Sequence, residues 1–121
     1  MNWNGGTYYV CNNPANYADD TATNYTALSY TGATNWSFSY ITTEGLDTGN
    51  NPHVMLPSAA GSGSESTYYC DTCYSATGWR VFRHGSFWSD GSICGLFSAG
   101  LNSTSSDSAP ALGSRLLYIP S

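Results

Sequence analysis

One stretch carries most of the information in this sequence: Gly78-Trp-Arg-Val-Phe-Arg-His-Gly-Ser-Phe-Trp-Ser-Asp-Gly-Ser-Ile-Cys-Gly-Leu-Phe97. Residues 79–83 are rich in aromatic and β-branched side chains and predict a short strand. From residue 84 to residue 113 the chain is dominated by Gly, Ser, Ala and Asn, which predicts loops. Long loops inside a compact domain are usually functional, so we expect the functional site in this segment.

Outside that stretch, the sequence predicts short strands with little helix. Residues 35–41 alternate cleanly, with Trp36, Phe38 and Tyr40 on one face and serines on the other, which predicts a half-buried strand. The other predicted elements are a short helix over residues 14–22 capped by Asn13, strands over 7–11, 53–56, 67–70 and 114–119, and loops over 45–52 and 58–66.

Composition limits the class of partner. The chain has 121 residues, which predicts one domain over residues 1–121, and a net charge of -5 with three Arg and no Lys. This charge argues against nucleic acid and anionic membranes as partners. We see neither a membrane-spanning apolar run nor a signal peptide. Ser, Thr, Asn and Gly make up 54 residues, beside ten Tyr. That palette suits either a recognition surface or a plain extracellular or virion β-rich protein.

Four cysteines leave the redox compartment open. Cys11, Cys70, Cys73 and Cys94 allow three disulfide pairings, and free buried thiols are an equal alternative. The Cys70-Asp-Thr-Cys73 spacing suits redox or zinc chemistry, but the second cysteine pair of a zinc site is missing. We therefore expect no metal.

Catalytic motifs are absent. His53 and His84 are the only side chains suited to act as a base near neutral pH. Ser86 lies two residues from His84 without a nucleophile elbow, and Asp90 and Asp107 lack the spacing of a calcium loop. No phosphate-binding or dinucleotide fingerprint occurs. The sequence therefore predicts neither an enzyme nor a cofactor.

The central stretch resembles the variable proteins of diversity-generating retroelements. The resemblance covers about residues 54–121 and rests on matching residues spread along the segment. These are Ser66-Thr-Tyr-Tyr-Cys-Asp71, Gly78-Trp-Arg-Val81, Gly85, Trp88, Gly91-Ser92, Gly95-Leu-Phe97, Asn102, Ser106, Ser108 and Leu112-Gly-Ser-Arg-Leu-Leu117.

In that family an error-prone copy, altered at template adenines, replaces the coding copy, so asparagine codons become variable. The resemblance implies a variable ligand-binding region at about residues 70–113. Its expected variable residues are Phe87, Ser89, Asp90, Ile93, Ser98, Gly100, Ser103, Asp107, Ala109 and Ala111, with Thr72, Cys73 and His84 as further candidates. Large apolar side chains such as Phe87 and Ile93 among polar neighbours suit a binding surface, although a small satellite core is the alternative.

The remaining matched residues are expected to form the scaffold. Glycines adopt backbone conformations that other residues rarely reach, and large aromatic rings stabilise the loops by burying apolar area. A guanidinium group can donate hydrogen bonds to several loop carbonyls. The scaffold residues are Trp79, Gly85, Trp88, Gly91, Gly95, Phe97, Gly113 and Arg115.

The family's known properties set the remaining expectations. They imply a compact α+β fold of the C-type lectin type, related to the formylglycine-generating enzyme, with short strands, long ordered loops and little helix. The implied function is hypervariable binding of a protein or glycan receptor on a host or neighbouring cell, displayed on a phage or virus tail or a cell surface. Homo-oligomerisation would add avidity.

Two alternatives remain at this point. One is an invariant structural virion or fibre-tip protein. The other is an enzyme of the formylglycine-generating type, for which Cys70 and Cys94 would have to be reactive thiols near one cleft.

Overall fold

A computed structural model of the chain shows one eight-stranded sheet. It describes residues 1–67, 69, 71–85, 91 and 95–109. The strands are β1 (Asn2–Asn4), β2 (Thr7–Val10), β3 (Thr26–Thr31), β4 (Ser39–Asp47), β5 (Asn51–Gly61), β6 (Thr72–Ser75), β7 (Trp79–His84) and β8 (Ala99–Ser103).

The strand order across the sheet is β3-β2-β1-β7-β8-β6-β4-β5. The β6–β8 pair is parallel and the other pairs are antiparallel. The sheet curls into a nearly closed barrel, and strands account for 48% of the residues that the structure describes. This arrangement places β8 in the middle of the sheet, between β6 and β7.

The expected α+β, C-type lectin-like fold is wrong. The structure is nearly all β, and no α-helix occurs among the residues it describes. The predicted helix over residues 14–22 is a single 3-10 turn, Pro14–Asn16, whose Asn13 cap accepts a hydrogen bond from the Ala15 N–H at 3.1 Å. Asp19, Asp20 and Thr21 follow, and such weak helix formers do not extend the turn.

The first hairpin illustrates why these residues form strands. Gly5 and Gly6 connect β1 to β2 with φ values of +58° and +100°. A two-residue hairpin turn needs positive φ at its centre, which glycine adopts without steric strain. The hairpin brings Trp3 and Tyr8 together in the barrel interior, with ring centroids 4.8 Å apart.

The barrel core is aromatic and aliphatic, and the polar atoms of its rings Trp3 and Tyr8 are hydrogen-bonded. Trp3, Tyr8, Ile41 and Leu101 have no exposed surface. The Trp3 indole N–H donates to the Ala76 carbonyl at 3.1 Å, and the Tyr8 hydroxyl donates to the Pro57 carbonyl at 2.7 Å. Burying such side chains stabilises the fold by roughly 1.5–3 kcal/mol each.

Two predicted strands are confirmed, as β2 and β7. Others shift. The strand predicted over residues 35–41 begins only at Ser39, because Phe38 has a φ of +49°. Trp36 is buried while Phe38 is 57% exposed, so the two rings do not share a face. The strand predicted over 53–56 is confirmed within β5, which continues through Gly61 into the predicted loop over residues 58–66.

Two other predicted segments remain to be compared with the structure. Residues 45–52, predicted as a loop, contain the end of β4 and the start of β5. The predicted strand at 114–119 lies outside the described residues. No helix in the described part of the chain is long and apolar enough to cross a membrane.

Candidate functional site

The segment singled out by the sequence, residues 70–113, contributes β6, β7 and β8 to the centre of the sheet. Within it the structure describes residues 71–85, 91 and 95–109. Several predicted residues lie outside the described part of the chain. These are Phe87, Ser89, Asp90, Ile93 and Ala111 among the variable set, Trp88, Gly113 and Arg115 among the scaffold, and the thiols Cys70 and Cys94.

A buried carboxylate anchors the turn that precedes β8. Asp71 is only 5% exposed, and its Oδ2 accepts a hydrogen bond from the Phe97 N–H at 2.6 Å. The Asp71 carbonyl accepts from the Ile41 N–H at 2.8 Å, which ties the same residue to β4. The carboxylate occupies the position that a Cβ atom of residue 95 would need, so Gly95 fits here for steric reasons.

The turn itself, Gly95 to Ser98, is closed by its own hydrogen bonds. The Ser98 N–H donates to the Gly95 carbonyl at 3.3 Å, and the Gly95 N–H donates to Ser98 Oγ at 3.2 Å. The Gly85 N–H reaches across to the Ser98 carbonyl at 3.0 Å. The Phe97 ring packs on Tyr69 with centroids 5.1 Å apart. The backbone of this turn is therefore held from several directions.

Leu96 stands at the tip of this anchored turn, and its side chain is 72% exposed. The exposed side chain of His84 is at the same end of β8, because His84 pairs with Ala99. Gly85 follows His84 with a φ of +81°. The structure thus places an exposed aliphatic side chain and an exposed imidazole at the same end of β8.

Three residues expected to vary at the ligand-binding surface are buried instead. Ser98 is 2% exposed and Ser103 is 7% exposed. Gly100 is buried beneath the side chain of Arg83, whose Nη2 would lie 3.1 Å from a Cβ atom at residue 100. A larger side chain at any of these three places would have to displace its neighbours.

Two of the further candidates, Thr72 and Cys73, are also buried, at 5% and 1% exposure. The Cys73 thiol donates to the Ser39 carbonyl at 3.5 Å. Burial, with a smaller contribution from the charge of Glu44, raises the pKa of this thiol to about 12. Cys73 is therefore an unreactive core thiol, since reactivity requires the thiolate. Cys73 forms no disulfide, and neither does the partly buried Cys11.

Asp107 and Ala109, the other described members of the variable set, are exposed. They lie in the loop that follows β8, at the opposite end of the strand from Leu96. Asp107 Oδ1 accepts from Thr104 Oγ1 at 2.8 Å and Oδ2 accepts from the Thr104 N–H at 2.9 Å. These bonds from Thr104 hold the pKa of the Asp107 carboxyl below its usual value.

Two of the described scaffold residues, Gly91 and Trp79, lie in different surroundings. Gly91 has a φ of +59° and is exposed. The half-buried Trp79 ring packs against Tyr9 with centroids 5.7 Å apart, which joins β7 to β2 on one face of the sheet.

The exposure of two large apolar residues, Leu96 and Phe38, was not predicted from the sequence. Leu96 was grouped with Gly95 and Phe97 among the residues matched by the resemblance, and no surface role was predicted for it. Phe38 was assigned to a regular strand, whereas it projects from a left-handed backbone and packs edge-on against Tyr74 with centroids 5.2 Å apart. Neither exposure has a signal in the local sequence pattern.

Another unexpected feature is a carboxylate in the barrel wall. Both carboxyl oxygens of Glu44 are shielded from water and have no hydrogen-bond partner among the residues that the structure describes. Burial, with repulsion from Asp71, raises the Glu44 pKa to about 7. No group of three or more His, Cys, Asp or Glu side chains is placed to hold a metal ion in the described ranges.

No protein-family model, curated protein or solved structure matches this chain. The likeness to retroelement variable proteins therefore remains a proposal, and the function has to be argued from the site.

Proposed function

We propose that this protein is a non-enzymatic binding protein whose segment 70–113 contacts a ligand or receptor on another cell or particle. The observation that carries the proposal is Leu96: a large apolar side chain, 72% exposed, on a turn fixed by Asp71 and Ser98. Folding alone favours burying such a side chain, and exposed apolar groups on rigid supports suit recognition.

The surroundings of Leu96 support binding over catalysis. The neighbouring His84 is exposed, the thiol of Cys73 is buried with a raised pKa, and the Asp71 carboxylate is engaged by the Phe97 N–H. One of these groups is exposed, one is buried and one is already hydrogen-bonded, so they do not converge on one cleft. Protein binding surfaces typically have an apolar centre and a polar rim.

We further propose that this surface is diversified as in the retroelement family, on a virus or phage tail or a cell surface. Among the residues expected to vary that the structure describes, His84, Asp107 and Ala109 are exposed. Substitutions at these three residues would change the surface without repacking the core. The buried Ser98, Gly100 and Ser103 fit this division poorly, so we expect variation there only among small residues.

The deciding experiment is to sequence the DNA that flanks the gene. We expect a reverse transcriptase and a near-copy of the codons for residues 70–117, with mismatches only at template adenines. Absence of a copy, or mismatches at all four bases, would rule out diversification. Identical codons in sister isolates would instead favour the structural virion or fibre-tip alternative.

A second measurement tests the binding surface without knowledge of the ligand. All substitutions at residues 95, 96 and 97 can be scored for folding by display and protease resistance. We expect residue 96 to accept nearly every side chain, and residues 95 and 97 to accept few, because Asp71 and Tyr69 occupy the adjoining space. Equal intolerance at residue 96 would make Leu96 a structural residue.

A further inference from the structure

A second surface lies on the outer face of the sheet, around Phe38. Its ring is 57% exposed, and its backbone is in the left-handed region with a φ of +49°. A bulky residue at positive φ is a genuine outlier, and such strain concentrates at functional sites. Folding gains little from a ring left mostly in water, so both the strain and the exposure need an explanation.

The backbone on each side of Phe38 is tied to β6. On one side, the Ser75 N–H donates to the Trp36 carbonyl at 2.9 Å, and the Trp36 N–H donates to Ser75 Oγ at 3.1 Å. On the other side, Ser39 pairs with Cys73. Tyr74 lies between these two β6 residues, and Phe38 meets it edge-on at 5.2 Å. The aromatic pair is therefore preorganised rather than loosely attached.

From Tyr74, the same row of paired residues continues across β8 to β7. Tyr74 pairs with Gly100, and Gly100 pairs with Arg83. The Arg83 side chain covers Gly100, and its Nη2 donates to the exposed Asn102 at 2.6 Å. Two aromatic rings thus stand at one end of a row that closes with a guanidinium and an amide.

The chemistry of this row matches one ligand class. A sugar ring has an apolar face of C–H groups and a rim of hydroxyls. Aromatic rings pack well against such faces, and amide, guanidinium and phenol groups bond the hydroxyls. Asn102 accepts from Arg83 through its oxygen, and its amide N–H groups have no acceptor in the described part of the chain. The net charge of -5 disfavours an anionic ligand over a neutral one.

We infer that the outer face around Phe38 and Tyr74 binds a neutral saccharide, with Asn102 and Arg83 contacting its hydroxyls. The inference rests on the proposed function, because it treats the protein as a binding protein and names the ligand class for part of the same segment.

The test uses an array of neutral and carboxylated oligosaccharides with the full chain and two variants. Phe38→Asn removes the ring and tolerates the left-handed backbone. Leu46→Asn, at a residue that is 52% exposed on β4, is the matched control. We expect binding to at least one neutral saccharide, weakened at least tenfold by Phe38→Asn and less than twofold by Leu46→Asn. Thermal melting of each variant establishes that it is folded.

Several results would overturn the inference. They are no binding to any neutral saccharide, binding confined to carboxylated ones, equal binding by Phe38→Asn, or adhesion to a receptor that survives removal of its glycans. The proposed function is tested separately by the flanking DNA and by residue 96. A template copy with no saccharide binding would leave the proposed function intact and remove this inference.

Discussion

Two carboxylates are enclosed by the same barrel and are treated in opposite ways. Asp71, beside β6, accepts the Phe97 N–H at 2.6 Å and fixes a turn. Glu44, on β4, has both carboxyl oxygens shielded from water, and neither has a hydrogen-bond partner within the described ranges. A buried charge is tolerated when hydrogen bonds replace its water, and it is unfavourable otherwise. Asp71 therefore stabilises the fold through its hydrogen bond to the Phe97 N–H, whereas Glu44 is accommodated best when protonated.

The two carboxylates differ in what they contribute to the structure: Asp71 fixes a turn through a hydrogen bond, and Glu44 does not. The Asp71 bond joins residues 26 positions apart and sets the exposure of Leu96 at the proposed binding surface. The Glu44 carboxyl supports no such contact, and repulsion from Asp71 contributes to raising its pKa to about 7. The two groups are therefore coupled, and substitution of either one reports on the other.

The largest effect is expected from Asp71→Ala. It removes the charged acceptor of the Phe97 N–H and leaves that donor without its partner, which should destabilise the protein by about 2–3 kcal/mol. Urea denaturation measures the loss. Protease cleavage near residue 96 should rise as well, because the turn is released.

Asp71→Asn is the matched control for that prediction. It keeps an oxygen acceptor and removes the charge, so it should lose less stability than Asp71→Ala. It should also lower the Glu44 pKa, because the repulsion from Asp71 is removed. Equal destabilisation by both variants, with no shift at Glu44, would contradict the assigned role of Asp71.

Gly95→Ala should have the next largest effect. The new methyl group would meet the Asp71 carboxylate, which must move and weaken its bond to Phe97. Crowding of this kind costs about 1–2 kcal/mol. Denaturation of Gly95→Ala beside Gly49→Ala measures it, since Gly49 has open space around the Cβ position. A similar loss in both variants would mean that the Asp71 contact is unimportant.

The strands show how far local pattern predicts this fold. Strands β2 and β7 were predicted because Tyr, Val, Trp and Phe cluster in them. Strand β8, Ala99–Ser103, was missed because Ala-Gly-Leu-Asn-Ser has little intrinsic strand preference. Its conformation comes from pairing with β6 on one side and β7 on the other. The mistaken α+β expectation came from the resemblance and was not required by the strand pattern.

The candidate site was predictable to a different extent. Composition selected residues 84–113 as loops of interest, and the resemblance extended the expected binding segment to residues 70–113. Neither predicted which side chains of that segment are exposed. Ser98 and Ser103 were expected at the binding surface and are buried, whereas Leu96, which was not expected to vary, is exposed. Each reversal depends on contacts between distant residues, such as Asp71 with Phe97, which no local window contains.

The pH dependence of stability should report Glu44. Its folded pKa of about 7 lies above the ordinary value of 4.5. The protonated form is therefore favoured by folding, and its stabilisation is complete below pH 4.5 and lost as pH rises through 7. Allowing for solvent screening of a partly exposed residue, we expect a loss of about 1 kcal/mol between pH 5 and pH 8.

Glu44→Gln isolates that contribution. The amide stays neutral, so the variant should lose less stability than the wild type between pH 5 and pH 8. The measurement is a series of urea denaturations of both proteins across this range. Parallel curves for the two proteins would show that Glu44 does not titrate where its burial predicts.

The smallest effect on folding is expected from Thr104→Val, which acts on the exposed carboxylate of Asp107. Asp107 is exposed, and its lowered pKa comes first from the Thr104 hydroxyl and then from the Thr104 N–H. The variant should raise the Asp107 pKa toward its ordinary 3.8, measured by NMR titration, and leave the melting temperature unchanged.

The sign for Asp107 is opposite to that for Glu44. A depressed folded pKa gives stabilisation that is present above the ordinary value and lost as pH falls. The bonds within the loop are local and solvated, so their loss should not spread into β8. A drop in melting temperature as large as that of Asp71→Asn would show that the loop supports the barrel. Exchange of Asp107 and Ala109 would then disturb the fold, and the proposed variable surface would be confined to the Leu96 end of the strand.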